Sequence, residues 1–335
     1  MNSKERVSAA IRREPVDRVP LDCWLNERRF CDRLEQDYGP VDRFMDDFNI
    51  DMATGYVPWP NQFGEKDDRQ YYQKFEIEEL PDLELEDPRD PKWLTNTDWH
   101  PIFRGVNVRE AVEQYGQDRF VVAHVWGMVE GTSSFLGIEN CWMNLEAEPE
   151  LMSRWLATYA NWLADLCESC IDEGVDMIRI SDDWGQNDVE LFSPHTFRDL
   201  IMPNLRVVVE RILQRGAFVG LHSDGYIMSV MDDVVNLGVE VLHPCQDSAG
   251  MDPQYVKDNY GDKLVIHGGL DVMDSLLNLE GEGLAAYVRK QFEIFKPAGG
   301  FIFNGSHMIQ PDIAPAKLCE VYALANSLAS YNSDA

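Results

Sequence analysis

Phe218-Val219-Gly220-Leu221-His222-Ser223-Asp224-Gly225 reads as one short apolar strand that stops abruptly in a cluster of ligating side chains. The same event recurs at residues 120–124, 177–183, 239–243, 264–267 and 301–307. Strands written as Val/Ile/Leu runs are buried on both faces, as in parallel sheets, and the residues just past their carboxyl ends are where such sheets place binding and catalytic groups. Six ends pointing one way make one site.

Outward from that stretch, strands alternate with helices. The pattern predicts helices over 107–115, 149–173, 194–215, 227–236, 252–260, 281–295 and 315–329, with Gly174, Gly216, Gly238 and Gly261 as stop signals in the left-handed conformation. Between them lie strands at 120–125, 177–180, 217–221, 239–242, 264–267 and 301–303, and earlier strands near 19–24 and 51–56 bring the count to eight. Neither G-x-G-x-x-G nor G-x-x-x-x-G-K-[ST] follows a strand, which weighs against an open dinucleotide-binding sheet. The expectation is an α/β fold, a (β/α)8 TIM barrel of one domain over 1–335, with an N-terminal elaboration that begins as a capped helix after Ser3. Residues 55–105 change texture to Pro, Trp and Tyr and read as an insertion or lid. Trp59, Trp93 and Trp99 there call for burial, and Tyr56, Trp59, Tyr71 and Tyr72 could pack a satellite core or stack on a planar ligand.

At 335 residues and 44% hydrophobic the chain can bury a full core. Its formal charge of −30, from 59 acids against 29 bases, repels nucleic acid and anionic membrane surfaces. With neither an apolar leader nor a run of roughly 18 apolar residues, a cytoplasmic protein is expected. Seven scattered cysteines suit reduced thiols, and Cys167 and Cys170, a CxxC inside a helix, suit packing.

Each strand end has its own chemistry. His222 and Asp224, two apart with Gly225 to turn the chain, fit either two metal ligands or a general base with its orienting carboxylate. His307, after Gly305 at the last strand, could add a third ligand, giving an open set of the kind catalytic zinc uses. Of the adjacent Asp182 and Asp183, Asp183 is the one expected to face the barrel mouth, because Trp184-Gly185 fixes a tight turn behind it. His124, His243 and His267 end other strands and are either substrate contacts or satisfied structural residues. Asp271 follows Gly268-Gly269, a loop through which a ligand could approach the backbone, and Trp184 joins His124 and Asp271 as a substrate-binding candidate. His100 and His195 lie outside the pattern.

The order of motifs resembles the uroporphyrinogen decarboxylase superfamily: Arg18-Val19-Pro20, Gly174-Val175-Asp176, Asp182-Asp183-Trp184-Gly185-Gln186, Ser193-Pro194, His222-Ser223-Asp224-Gly225, Gly238-Val239-Glu240, Gly268-Gly269-Leu270-Asp271, and Gly299-Gly300-Phe301 leading to His307. The resemblance runs from about residue 4 to about residue 329 and implies a (β/α)8 barrel. Decarboxylases of the superfamily carry R-Q-A-G-R after the first strand; this chain has Leu25-Asn26-Glu27-Arg28-Arg29, where only Arg29 matches. The corrinoid-linked methyltransferases of the superfamily hold zinc with His-x-Cys and a distant Cys. In this chain His222 matches the histidine, while Asp224 and His307 stand where the cysteines would be. The resemblance thus implies a zinc-dependent methyltransferase acting with a corrinoid protein or cobalamin, in which Asp183, His243 and His267 serve the chemistry and a methoxylated small molecule gives up its methyl group. A uroporphyrinogen decarboxylase and a metal-free binding homologue are the alternatives, and a homodimer is an expectation from the fold.

Overall fold

The computed structural model describes residues 1–61, 85–96 and 102–331. Seven parallel strands form one curled sheet in the order β1 Met52–Tyr56, β2 Phe120–Trp126, β3 Met177–Ser181, β6 Phe218–His222, β7 Val241–His243, β8 Val265–Leu270 and β9 Phe301–Gly305. Beside it, β4 Gly185–Gln186 and β5 Val189–Glu190 pair as a small antiparallel hairpin. The expected strand near residue 21 is present only as a bridging stave, since Pro20 has no N–H to give a ladder. Phe303 N donates to Pro20 O at 3.0 Å, Asp22 N to Phe303 O at 2.8 Å, and Asp51 N to Leu21 O at 2.7 Å. That stave joins β9 to β1 and closes the barrel.

Helices Pro149–Glu173, Gly281–Phe295 and Pro315–Ala329 fall where the proline and glycine signals put them. The single helix expected over 194–215 contains a π turn at Phe197–Ile201 before Met202–Gln214. Pro203 cannot donate the usual i→i−4 bond, and the wider turn accommodates it. The helix expected at 227–236 begins only at Met231, after a 3-10 turn.

Strand periodicity builds the interior in layers, because alternate side chains point inward. At the amino-terminal end Met52, Val122, Met177, Val241, Val265 and Ile302 form an apolar floor, closed from below by Val7 and Ile11 of helix Ser3–Ile11. Two residues further along five of those strands stand His124, Arg179, His243, His267 and Asn304, none more than 1% exposed, and His222 follows Gly220 in the same step on β6. The change from oil to imidazole within one residue pair places the site in the barrel rather than only on its rim.

Of the aromatic residues in the insertion, Trp93 is fully buried against Trp162, and Trp59 stacks on Trp126 with ring centroids 3.8 Å apart. Tyr71, Tyr72, Trp99 and His100 lie outside the described residues. Among the described residues no helix is long and apolar enough to cross a membrane. All seven cysteines are free thiols, with Cys167 and Cys170 buried in helix packing.

Closure depends on one carboxylate. Asp51, fully buried, accepts from Arg6 at 2.8 Å, from Arg18 at 2.7 and 2.9 Å, from Ser3 at 2.8 Å and from the Leu21 amide at 2.9 Å. Removing one partner of a buried ion network leaves uncompensated charge. Asp51→Ala is expected to cost about 3–5 kcal/mol in urea unfolding, whereas removal of the exposed ion pair between Arg43 and Asp47 by Asp47→Ala should cost under about 1 kcal/mol.

Candidate active site

The inner histidines are wired in a fixed sense. His243 Nε2 lies 3.1 Å from the carbonyl oxygen of Gly305, which can only accept, and 3.3 Å from the Asn304 amide nitrogen, which can only donate; Asn304 has a nearer acceptor in Asp22 Oδ2 at 3.1 Å, so the Nε2 proton is assigned to the shorter contact with Gly305. In the neutral ring Nδ1 is then an acceptor, and it lies 2.7 Å from His222 Nδ1, which donates. His222 Nε2 is left with an open lone pair. Burial holds both rings neutral, well below the ordinary imidazole range, and nearby histidines and the buried Arg179 add to the effect. Beneath them His267 Nε2 meets Asp22 Oδ2 at 2.9 Å, and the Asn304 amide donates to the same oxygen at 3.1 Å.

Above His222 the loops following β3 and β6 touch backbone to backbone. A Cβ on Gly225 would come within 2.1 Å of Gly185 carbonyl atoms, so only glycine permits the approach. The contact brings Asp183 beside Asp224, whose amide donates to Asp183 Oδ1 at 3.3 Å. One donor atom each from Asp183, His222 and Asp224 lies within 4.8 Å of the others. His307 is not among these three; its ring centre is 6.2 Å from that of His222, and Asp224 acts on it through space.

Donors around a tetrahedral zinc stand roughly 3.4 Å apart, as ligand distances of about 2.0–2.2 Å require. His222 Nε2 and Asp183 Oδ1 are 3.9 Å apart, close to that spacing, and the set of one nitrogen and two oxygens contains no thiolate. The donors therefore fit a zinc ion or another divalent cation that accepts N/O ligands. A third carboxylate, Glu130, shares the neighbourhood. Desolvation, with Asp182 and Asp224 nearby, pushes Glu130 up to about 8; desolvation, with Glu130 and Asp224, raises Asp183 well above the carboxylate range, and burial raises Asp224 as well. Acids that resist ionising together are stabilised as anions by a bound cation.

The remaining predicted residues lie elsewhere than at the mouth. His243 and His267 are fully buried: β8 continues to Leu270 and places His267 mid-strand below the mouth, while His243 ends β7 level with His222 and spends its ring on His222 and Gly305. His124, 1% exposed, accepts from Arg179 Nε at 3.1 Å. Trp184 is buried edge-on against Phe197, with ring centres 4.7 Å apart. Asp271 is buried and accepts backbone amides of Met273 and Asp274 at 3.0 Å and of Ser248 at 3.1 Å, shaping its loop. Asp182, fully buried, accepts the amides of Met128, Val129 and Glu130 at 3.0, 2.7 and 2.9 Å and so caps a helix, leaving Asp183 to face the cleft.

The family model for uroporphyrinogen decarboxylase (URO-D) matches residues 124–328, more than half of the chain and the carboxyl ends of β2 to β9. The chain belongs to the URO-D family. A curated relative, the uroporphyrinogen decarboxylase of Magnetococcus marinus, is 26% identical over 172 residues, which are 50% of this chain and 46% of that protein. The match thus spans about half the length of that relative. Among solved structures, a methyltransferase from Methanosarcina mazei superposes with a TM-score of 0.69 at 17% identity, covering 98% of this chain and 99% of that one, a likeness of fold.

Within this URO-D barrel several residues of the site had no signature of their own. Trp24, on the closing stave, centres the histidines, with ring centres 5.2–5.5 Å from His124, His222, His243 and His307. The guanidinium of Arg179 lies 4.4 Å over its ring, and both terminal nitrogens of Arg179 lack a hydrogen-bond partner. A lone arginine inside Met177-Ile178-Arg179-Ile180 was the available signal. Glu130 belongs to helix Met128–Leu136, for which the sequence shows no apolar stripe or cap.

Glu130 supplies a pH test. Between its unfolded value near 4.5 and about 8, the folded protein keeps a proton that the unfolded chain has lost, so stability falls as pH rises through that window. Denaturant titrations at pH 5 and pH 9 should show Glu130→Gln losing about 1–3 kcal/mol less than wild type over the interval, in protein stripped of metal.

Proposed function

We propose that this URO-D family member is a zinc-dependent methyltransferase that works with a corrinoid protein or free cobalamin and takes the methyl group from a methoxylated small molecule. The observation that carries the reading is the open lone pair of His222 Nε2, fixed by the Gly305–His243–His222 chain and aimed where two crowded carboxylates call for a cation. His222, Asp224 and Asp183 would hold the ion, with His307 alongside. Bound zinc would supply Lewis acidity toward a substrate oxygen. An N/O ligand set neutralises less of its charge than thiolates would, which suits an ether oxygen better than a thiol. Asp183 would serve the ion, and Glu130 beside it would position substrate and hold a proton near the reacting oxygen. The shared architecture with a protein described as a methyltransferase is consistent with this role.

The decarboxylase reading has the name of the curated relative in its favour and the charge distribution against it. Arg29, the one residue matching the arginine motif, has a 73% exposed side chain paired with Glu27. A polycarboxylate would meet the cluster of Glu130, Asp183 and Asp224 with the buried Arg179 as its inner cation.

Protein purified without chelator, or loaded and desalted, is expected to carry one zinc per chain by elemental analysis. His222→Ala should abolish retention. His243→Phe, which leaves all three donor residues in place, should weaken zinc about 10- to 100-fold by losing the bond that orients His222. Wild type that cannot be loaded would refute the mechanism, and conversion of uroporphyrinogen to coproporphyrinogen would put the decarboxylase first.

A further inference from the structure

The cleft at the barrel mouth has a volume of about 650 Å³, and one of its walls is made of two loops: Gln246 and Ser248 after β7, Met273 and Asp274 after β8. Behind that wall two carboxyl groups meet. Asp271, 2% exposed, holds its own loop through the amides of Met273 and Asp274 and reaches across to the Ser248 amide at 3.1 Å. Asp247 opens the 3-10 turn Asp247–Ala249 on the other loop. The Tyr287 hydroxyl bridges the two, accepting from the Asp271 amide at 3.2 Å and donating to Asp247 Oδ1 at 3.3 Å. Tyr287 and Gln291 stand four apart on helix Gly281–Phe295 and so share the face that covers the pair.

This polar knot lacks positive charge. Neither carboxyl group has a lysine or arginine partner among the described residues, and the charge acting on Asp247 is that of Asp271. Buried charges are paired or coordinate metals. Two acids this close resist ionising together: burial, and then Asp271, push Asp247 up to about 6. Gln291 adds an independent sign. It is 1% exposed, its Nε2 reaches Asp247 Oδ2 only at 3.5 Å, and its Oε1 has no partner among the described residues. A buried amide oxygen without a donor is rare. Turned end for end, the amide presents that oxygen to Asp247, a contact two acceptors can make only across a cation.

The donors are oxygen throughout, which selects a hard cation. Asp271 is fixed by three amides and cannot swing into the strict octahedron that magnesium demands, whereas calcium accepts irregular sets of about six to eight oxygens, waters included. Asp247 is only half-buried, so water can complete such a set. The formal charge of −30 raises the cation concentration around the whole chain. We propose that Asp247, Asp271 and Gln291 Oε1, with the Tyr287 oxygen alongside, form a second cation site, for a dication of the calcium class, which locks the loops after β7 and β8 into one wall of the cleft. The site shares no residue with the trio of Asp183, His222 and Asp224, and it does not depend on methyl transfer.

The test is calorimetric titration of calcium into the full chain stripped of metal, in wild type and in His222→Ala, which removes the nitrogen donor at the mouth. One calcium per chain is expected in both, with magnesium at least about tenfold weaker, and calcium should raise the urea midpoint of both. Asp247→Asn, isosteric with the protonated acid, should lose calcium altogether while keeping the calcium-free midpoint of wild type. Gln291→Met should bind calcium about tenfold more weakly, and Gln291→Glu at least as tightly as wild type. Absence of calcium uptake by His222→Ala, or undiminished uptake by Asp247→Asn, overturns the site and leaves the two carboxyl groups to share a proton. Zinc retention without calcium uptake would uphold the trio at the mouth and overturn this site; calcium uptake by protein that cannot retain zinc would do the reverse.

Discussion

The 2.7 Å contact between the Nδ1 atoms of His222 and His243 is the interaction on which the rest of the interior depends. Two neutral imidazoles can share it only if one donates and the other accepts, and the choice is made by the Gly305 carbonyl on a third strand. A backbone atom thus decides which nitrogen of His222 faces the cleft. Protonating either ring would set two N–H groups against each other, and burial already opposes that charge. The barrel can place polar groups directly above an apolar floor because these groups satisfy one another: His222 on His243, His243 on Gly305, His267 and Asn304 on Asp22.

What could be read from the chain followed from periodicity and punctuation. Helices opened by proline and closed by glycine, such as Pro149–Glu173 before Gly174, are set by local stereochemistry and appear where expected. Helix Met128–Leu136 gave no such sign. It follows Gly127, which has no side chain to cap it, and the cap comes instead from Asp182, 54 residues away. Glu130 was hidden with it. The strand ends were legible as a set, but their depth was not: His267 closes an apolar run just as His222 does, yet the length of β8 puts it mid-strand, below the mouth, while His243 stands level with His222 and turns its ring to the Gly305 carbonyl. Trp24 carries no sequence signal because it lies on a stave held by a few bonds on either side of Pro20, with none of the alternation of a strand.

The acidic balance of the chain takes a different meaning inside the barrel. Arg179 is the charged base of the inner layer, held against Trp24 and His124, and it acts on every histidine around it. Carboxyls at the mouth that ionise only with a cation beside them, and a cation already below, set acid against base along the barrel axis. A dication at the mouth would sit on the acid side of that arrangement, and a substrate carrying extra negative charge would have to cross it.

Asp182 gives this arrangement a mechanical side. Its carboxylate grips three consecutive amides of helix Met128–Leu136, while its own peptide is continuous with Asp183. The first turn of that helix and the carboxylate at the cleft are therefore tied to each other through Asp182. Glu130, whose amide Asp182 accepts, and Asp183, which follows Asp182 in the chain, thus share one buried anchor, so the spacing of the two carboxyls beside the cleft is set by a residue that faces neither substrate nor solvent.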